Sequence, residues 1–307
     1  MASGCYDVYG LTLVSDFPLN LSPTSGSGPV IEFRSGEPSQ TRHAEEKIIS
    51  GANDWCFQAL QPDQALYERW GSYFEILSRP GSPLVLYANL SDCPLQSFEA
   101  YLTNFAASAA LIQTGEEPLH STVVEIEGSA IGLLGNSGAG KSTLAAALID
   151  RGAGLITDDI LRVTFADGEA WAQEGPYRIK LYSDPAERYL PNGHAQRHWS
   201  FPEKRIYQPE KERRRGPRRL KALVQLDWPT APDIEGPTME RLQGFDLFST
   251  ILSSAMSSKL HTPERLKRLF HFCERLGGVV PVYRLCYERD FNLMEKAIHC
   301  IREVCLP

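Results

Sequence analysis

Hydrophobic and polar residues alternate in short segments through residues 1–93 of this 307-residue chain. Clusters of Pro, Gly, Ser and Asp separate these segments, as in β-strands joined by turns. The period then lengthens to three and four residues, which predicts a helix over residues 94–115 that ends at Gly115. The apolar residues of this helical repeat are Phe98, Leu102, Phe105, Ala109 and Ile112. We therefore predict a smaller β-rich N-terminal domain over residues 1–93 and a second domain over residues 94–307.

A strand, a glycine-rich loop and a helix follow one another in the second domain. Two apolar runs, STVVEIE and AIGLLG, predict a pair of strands joined by a tight turn, and the second run leads directly into GNSGAGKS. Residues 143–150 contain helix formers without Gly or Pro, and a glycine soon afterwards supplies a stop signal. A short strand at Leu155 and Ile156 then ends at Asp158 and Asp159.

The rest of the chain mixes strands and helices, so the predicted fold class is α/β. Apolar runs predict strands at ILRVTF, PYRIKLYS, KALVQLDW and VVPVYRLCY. Helical periodicity covers three further segments, residues 244–259, 263–276 and 291–304. Residues 187–216 are polar, charged and broken, which predicts an exposed connection.

Composition and charge exclude two classes of protein. Hydrophobic residues make up 42% of the chain and charged residues 22%, a balance that excludes a disordered protein. The formal net charge of -7 argues against a general nucleic-acid binder, because that affinity depends on cationic contacts to phosphates.

Cysteine usage and the absence of targeting patterns predict a cytoplasmic protein. The seven cysteines include no CxxC pair, which is typical of reduced thiols. The start MASGCYDVYG lacks the pattern of a secretory signal, and no apolar run is long enough to span a bilayer. We therefore expect neither a membrane nor a nucleic acid among the partners.

The segment from Gly135 to Ser142 fits the pattern G-x-x-x-x-G-K-[ST] of a phosphate-binding loop. Its glycines allow successive backbone N–H groups to surround phosphate oxygens, and Lys141 neutralises their charge. The N-terminus of the following helix adds a partial positive charge, and Ser142 is placed to ligate Mg²⁺. We predict that a nucleoside triphosphate, most simply ATP, binds through Gly135, Asn136, Ser137, Gly138, Ala139, Gly140, Lys141, Ser142 and Thr143.

Asp158 and Asp159 form an acidic pair one helix after the loop. A strand, loop, helix and strand with a right-handed crossover bring the ends of both parallel strands to the same edge of a sheet. The carboxylates then face the phosphates, where one holds Mg²⁺ and the other accepts the proton of an attacking hydroxyl. A turn or helix cap is the alternative interpretation of the pair. For the metal role the alternative is Asp227, which ends the run ALVQLD like a Walker B strand.

Four basic residues are candidates for contact with phosphate or substrate. Arg178 and Lys180 alternate in PYRIKLYS and therefore share one face of a strand. That face either stabilises charge on the transferred phosphoryl group or is simply solvated. Lys204 and Arg205 lie in the basic run EKRIYQPEKERRRGPRRLK, which is either an exposed loop or a segment that closes over ATP or over an acidic group of a peptide.

The segment His120–Asp159 contains most of LHSTVVEI, then GNSGAGKS, a helix ending in DRG and LITDD, and it resembles the catalytic core of HPr kinase/phosphorylase and its relatives. The resemblance implies a P-loop kinase core, with a mixed sheet akin to that of phosphoenolpyruvate carboxykinase, that phosphorylates a serine hydroxyl of a protein. It also implies that Asp159 is the base on the acceptor hydroxyl, Asp158 an acid linked to Mg²⁺, and His120 a group near the transferred phosphate. Because such relatives often form oligomers, it further implies a homo-oligomer.

Three segments, YDVYGLTLVSDFPL, LHSTVV and VPVYRLCYERD, are similar to the shorter HPr-kinase-like proteins. Some of those proteins accompany lasso-peptide biosynthesis and phosphorylate the C-terminal serine of the precursor peptide. The E-I-R-G-L-G-type second signature of HPr kinases is missing after Asp159. The similarity therefore implies a peptide acceptor more than HPr itself.

These observations together predict an ATP- and Mg²⁺-dependent kinase that transfers the γ-phosphoryl group to a serine hydroxyl of a peptide or small protein. Its predicted catalytic residues are Asp159, Asp158, His120 and Lys141. The alternatives are a regulatory module that binds or hydrolyses a nucleotide without a phosphoacceptor, an HPr-type protein serine kinase, and a kinase for a small molecule.

Overall fold

A computed structural model describes residues 4–37, 55–60, 65–70, 74–89, 95–197, 203–210, 215–229, 236–257, 262–288 and 290–305. The protein has a mixed α/β fold with several sheets, which confirms the predicted class at that level. It divides into two compact units, Met1–Glu117 with Arg197–Pro202, and Pro118–Gln196 with Glu203–Pro307. The predicted division into domains at residue 93 stays a prediction.

The first unit contains a seven-stranded mixed sheet in the order β1-β2-β3-β7-β6-β5-β4. Tyr9 and Gly10, both with positive φ, form the tight turn between the first two strands. The β-rich character predicted for this part of the chain therefore holds. The strands are β1 Gly4–Val8, β2 Leu11–Ser15, β3 Val30–Ser35, β4 Trp55–Leu60, β5 Ala65–Trp70, β6 Phe74–Ser78 and β7 Leu84–Asn89.

The predicted helix after this sheet is present in three parts. These are α1 Leu95–Tyr101, a π-helical turn Leu102–Ala106 and α2 Ala107–Gln113. Phe98 is fully buried, and its ring centroid lies 5.8 Å from that of Phe74. Gly115, with φ +96°, follows the helix end as expected, because only glycine adopts this conformation without strain.

The second unit contains the loop and the acidic pair. Its first elements are β8 Leu119–His120, β9 Thr122–Ile126, β10 Ser129–Leu134, α3 Lys141–Asp150, β11 Gly154–Thr157, β12 Ile160–Leu161, β13 Val163–Ala166, β14 Glu169–Ala172, β15 Ile179–Tyr182 and α4 Ser183–Tyr189. The others are β16 His194–Arg197, β17 Lys204–Gln208, β18 Arg218–Asp227, β19 Thr238–Arg241, α5 Gly244–Ser253, α6 Pro263–Val279, β20 Val282–Cys286, a 3₁₀ turn Phe291–Leu293 and α7 Met294–Cys305.

The large sheet of this unit has parallel strands at its centre. Within the described residues its order is β11-β9-β10-β18-β14-β13, and β20 pairs with both β18 and β19. Strands β10, β18 and β20 run parallel, whereas β9 is antiparallel to both β10 and β11. The strand pair predicted around Glu127 is therefore correct, and Glu127 and Gly128 turn the chain with φ values of +51° and +82°.

Helices cover both faces of this sheet. Leu133 and Val224 point to the face that carries α3 and α7, where Leu144 and Ile301 complete an apolar core. The other face packs on α5 and α6, with Leu223, Ile251, Cys273 and Leu276 among its fully buried residues. This arrangement places the N-terminus of α3 at the edge where the parallel strands end.

Two sequence predictions need correction. Residues 187–216 are not one exposed connection, because β16 and β17 lie within them and β17 pairs with β15. Ile206 and Tyr207 are buried, a pattern that the surrounding charges conceal in the sequence. The helix predicted over residues 244–259 ends at Ser253. Among the residues that the structure describes, none of the helices has the length and apolar character required to cross a membrane.

Candidate active site

The glycine-rich loop joins β10 to α3. Gly135, Gly138 and Gly140 have φ values of +137°, +83° and +93°, so the loop depends on residues without a Cβ. Lys141 begins α3 and is 7% exposed. Its Nζ folds back over the loop and donates to the carbonyl oxygens of Gly135 at 2.7 Å and Asn136 at 3.2 Å. Burial lowers the pKa of Lys141, while the nearby Asp158 and Asp159 act in the opposite direction.

The acidic pair lies near this loop because of the direction in which β11 runs. Because β9 is antiparallel to both of its neighbours, β10 and β11 run the same way and end at the same edge. The sequence predicts this common edge but not the antiparallel strand that separates the two. Asp158 and Asp159 follow the last residue of β11.

Asp158 is 6% exposed and its carboxylate accepts three hydrogen bonds. Oδ1 accepts from Thr122 Oγ1 at 2.7 Å and from Ser142 Oγ at 3.4 Å. Oδ2 accepts from the backbone N–H of Lys180 at 2.9 Å. Strand β9, helix α3 and strand β15 therefore fix this carboxylate together. Burial, followed by the charge of Asp159, raises the pKa of Asp158.

Asp159 occupies a different environment from its neighbour. Its φ of +73° turns the chain sharply, and its side chain is 22% exposed. Its Oδ2 forms an ion pair with Nζ of Lys180. Burial alone would raise the pKa of Asp159, but Lys180, His120 and Arg178 outweigh it and lower this pKa to about 2. Asp159 is therefore ionised at neutral pH.

His120 lies in β8, opposite Ile160 of β12. Its backbone N–H donates to the carbonyl of Ser254 at 2.7 Å, and its Nδ1 lies 3.1 Å from the carbonyl oxygen of Asp159. Burial, followed by the charge of Lys141, lowers the pKa of His120 to about 4. The ring is therefore neutral at pH 7. Because a carbonyl only accepts, Nδ1 carries the proton and Nε2 is left as an acceptor.

Of the four basic candidates, the structure brings Arg178, Lys180 and Lys204 into the electrostatic environment of the acidic pair. Lys204 lies opposite Tyr182 in the ladder, with Nζ 4.9 Å from the centroid of that ring. Burial and the charge of Lys180 lower the pKa of Lys204, and both aspartates oppose this. Arg205 is exposed and, as the next residue along β17, points to the opposite side of the strand from Lys204.

Much of the basic run has other surroundings. Arg218 pairs with Glu125 at 2.8 Å and Arg219 with Glu169 at 2.9 Å, so these two residues neutralise acids of the sheet. Lys211, Arg213 and Arg214 lie outside the described residues.

Asp227, the alternative metal ligand, lies at the end of β18 and its side chain is 52% exposed. Oδ1 accepts from the N–H of Trp228 at 2.9 Å, and Oδ2 is 3.7 Å from Nε of Arg284. Within the described part of the chain, the contacts of its carboxylate are thus with its neighbour Trp228 and with Arg284. Ser142 has its hydrogen bond with Asp158 instead.

Sequence reasoning did not identify Thr122 as part of the site. This residue lies opposite Leu133 in the β9–β10 ladder, one position before β10 reaches the loop. If the register of the predicted strand pair had been known, it would have placed the hydroxyl of Thr122 close to the loop. The backbone N–H of Lys180, which also holds Asp158, gives no sequence signal because every residue except proline carries one.

The donor atoms around Asp158 suit Mg²⁺ bound together with a nucleotide. Among the described residues there is no group of three or more His, Cys, Asp or Glu side chains arranged to hold a metal by itself. Ser142 Oγ and Asp158 Oδ1 are oxygen donors 3.4 Å apart, beside the loop. Mg²⁺ takes few protein ligands and completes its shell with water and phosphate oxygens, so these two residues could hold it.

Comparison with known proteins matches this same segment. Residues 113–181 fit the model of the HPr Serine kinase C-terminal domain. The HPr kinase/phosphorylase of Treponema pallidum (strain Nichols) is 31% identical over 104 residues, 33% of this chain and 30% of that relative. The HPr kinase/phosphorylase of Azoarcus sp. (strain BH72) is 51% identical over 43 residues, 14% of each chain.

Among solved structures, the Hpr(Ser) kinase/phosphatase from Coxiella burnetii aligns with a TM-score of 0.34 and 13% identity, covering 61% of this chain and 94% of that one. The chain spans 30% of the length of the Treponema relative that it matches. The family model and the curated relatives confirm the resemblance noted in the sequence. The residues that fit the family model include the loop and the acidic pair, and this segment is similar to the HPr kinase-like superfamily.

Proposed function

We propose that this chain is an ATP- and Mg²⁺-dependent kinase that transfers the γ-phosphoryl group to a serine hydroxyl of a peptide or small protein. One observation supports this most: a carboxylate held by the Ser142 hydroxyl beside the phosphate-type loop is followed directly by a second, ionised carboxylate. The family model adds support, since it describes a serine kinase domain.

The division of labour between the two acids follows from their contacts. Backbone N–H groups of the loop and Lys141 bind and orient the phosphates, and Asp158 is held rigidly by its three hydrogen bonds. Asp159 is more exposed and accepts the proton of the serine hydroxyl. Its low pKa makes it a weak base, so orienting the hydroxyl toward the phosphate contributes more to the rate than early proton removal.

Lys180 and His120 position the base. The Lys180 ammonium pairs with the Asp159 carboxylate and adds positive charge where the transferred phosphoryl group would pass. His120 hydrogen-bonds the Asp159 backbone and so holds its left-handed turn. When bound at Ser142 and Asp158, Mg²⁺ would neutralise phosphate charge.

The acceptor that we propose is the C-terminal serine of a lasso-peptide precursor, on the similarity of three sequence segments to the shorter HPr-kinase-like proteins. An HPr-type protein acceptor is the second candidate, because the curated relatives are named HPr kinase/phosphorylase. A cytoplasmic location and a homo-oligomer are part of this proposal and rest on composition and resemblance.

Transfer of labelled phosphate from ATP tests the proposal. The full chain is incubated with Mg²⁺, labelled ATP and one of three acceptors: a peptide ending in serine, the same peptide ending in alanine, or HPr. We expect label on the serine-ended peptide and none on its alanine control. Label on HPr alone would change the acceptor class. Label found only as free phosphate would favour the regulatory module, which hydrolyses the nucleotide and has no phosphoacceptor.

A further inference from the structure

Two aromatic residues continue the central parallel strands beyond their ends. Strands β18 and β20 pair in register up to Asp227 and Cys286, and the next residues are Trp228 and Tyr287. The backbone N–H of Tyr287 donates to the carbonyl of Asp227 at 3.4 Å, which keeps the two chain segments together. In the sequence Trp228 marks only a strand end, and the site described above does not use either ring.

Both rings lie on the face of the sheet that carries α3. Leu226 of β18 and Leu285 of β20 belong to the core on that face, and side chains two residues apart in an extended chain share a face. Tyr287 is 4% exposed and belongs to the same core, whereas Trp228 is half-buried. Their ring centroids are 6.2 Å apart at an interplanar angle of 46°.

The tips of both rings approach the last glycine of the loop. A Cβ placed on Gly140 would lie 3.9 Å from Cη2 of Trp228 and 3.9 Å from Oη of Tyr287, an ordinary van der Waals contact. Gly140 directly precedes Lys141, so the aromatic pair begins where the phosphate-type loop ends. The strand order β11-β9-β10-β18, with β20 beside β18, places this pair on the opposite side of the loop from Asp158.

The two ends of a nucleotide differ chemically in the same way as the two sides of this loop, one with Asp158 and the other with the aromatic rings. Its terminal phosphate requires cations and metal-binding acids, and its base is a flat aromatic ring that stacks on other aromatic rings. If the terminal phosphate lies at the acidic pair, a phosphate chain crossing the loop directs the base toward β18 and β20, outside the carboxyl ends of the strands.

We propose that Trp228, supported from beneath by Tyr287, is the surface on which the base of the nucleotide stacks. The inference rests on the proposed function only in requiring that the loop binds a nucleotide. Stacking on an aromatic face tolerates any base, so the proposal predicts similar contributions of Trp228 to the binding of ATP and GTP.

Binding measurements on the full chain separate this role from support of the loop. Isothermal titration of ATP and of inorganic tripolyphosphate, with Mg²⁺ present, compares the wild type with Trp228→Leu and Trp228→Phe. We expect Trp228→Leu to weaken ATP about tenfold, since loss of one base–aromatic stack has effects of this order, and to leave tripolyphosphate within about twofold. Trp228→Phe retains an aromatic face and keeps most of the affinity for ATP.

Fluorescence provides a second readout that does not depend on activity. ATP quenches the emission of Trp228 more than tripolyphosphate does, and Trp228→Phe removes that difference. An equal loss of affinity for ATP and for tripolyphosphate in Trp228→Leu would overturn the proposal, because Trp228 would then only support the loop. An unchanged affinity for ATP would also overturn it and place the base elsewhere. If the wild type binds tripolyphosphate as tightly as ATP, the base makes no contact, and the stacking proposal fails while the proposed function stands. If the wild type binds neither ligand, the proposed function fails as well.

Discussion

Two acidic strand ends lie at the same edge of the central sheet, and they differ in their exposure and in their contacts. Asp158, after β11, is 6% exposed, accepts hydrogen bonds from three elements and reaches Ser142 beside the loop. Asp227, after β18, is 52% exposed and contacts Trp228 and Arg284. An acid at the end of an apolar strand is thus a weak indicator unless its contacts lead to the loop.

The difference has an electrostatic consequence. Burial raises the pKa of Asp158, so a cation at that site would relieve a desolvated charge. Asp227 is half-exposed and lies beside Arg284, which also pairs with Glu240 at 2.6 Å. A metal at Asp227 would compete with an existing cation. This difference supports the proposal that the metal and the base lie at the β11 end rather than at the β18 end.

The largest effect is expected at the base. Asp159→Asn removes the proposed proton acceptor but keeps the size of the side chain, so we expect kcat for transfer to fall about a hundredfold or more. The Kd of ATP stays within about threefold, because positioned bases contribute to the chemical step rather than to binding. Quenched-flow transfer assays and titration calorimetry measure the two quantities. Unchanged turnover would move the base to another residue.

A smaller loss is expected when the base loses its cation. Lys180→Met removes the ion pair with Asp159 but keeps the backbone N–H that holds Asp158. We expect kcat to fall about tenfold or more with little change in the KM for ATP, as for loss of one positioned electrostatic group. Lys180→Arg is the matched control and recovers part of the rate. A loss confined to KM would instead make Lys180 a binding contact.

Protonation of His120, beside the acidic pair, is expected to have a smaller effect. Because burial and Lys141 lower the pKa of His120 to about 4, we expect the NMR signal of its ring to titrate near pH 4. The variant His120→Gln lacks this signal and so identifies it. Between pH 6.5 and 4 the unfolded state binds this proton more readily than the folded state, so His120 makes stability fall as the pH falls through this window. His120→Gln flattens that dependence in urea unfolding. Titration near 6.5, the ordinary pKa of histidine, would contradict the burial of the ring beside Lys141.

The smallest effect is expected at the opposite strand end. Asp227→Asn keeps the half-exposed side chain's shape and leaves the contacts of Asp158 in place, so the transfer rate changes by less than about threefold, as for most surface substitutions. Steady-state kinetics across a Mg²⁺ series measures it. A loss as large as that of Asp159→Asn would reverse the comparison between the two ends.

Local signals account for what the sequence predicted well. The glycines, Lys141 and the strand and helix on either side are contiguous, so their pattern specifies the loop without knowledge of the rest of the fold. The same holds for Asp158 and Asp159, whose position depends on one helix and one short strand. The strands near the start and the helical segment that begins at Leu95 also followed from periodicity, whereas the π-helical turn within that segment did not.

Non-local pairing accounts for what was missed. That β9 lies between β10 and β11 depends on sheet order, which no single segment records. Strand β17 is hidden in a charged stretch because only Ile206 and Tyr207 are buried. The meeting of Trp228 and Tyr287 joins residues from strands that are distant along the chain, and it becomes visible only once the β18–β20 register is known.

Binding of Mn²⁺ in place of Mg²⁺ tests whether Asp158, and not Asp227, holds the metal. Electron paramagnetic resonance reports free and bound Mn²⁺ in the presence of a non-hydrolysable ATP analogue, for the wild type, Asp158→Asn and Asp227→Asn. We predict that Asp158→Asn weakens Mn²⁺ binding about tenfold or more, a typical cost of disturbing a metal site, while Asp227→Asn matches the wild type. Weakened binding in Asp227→Asn together with unchanged binding in Asp158→Asn would contradict this assignment.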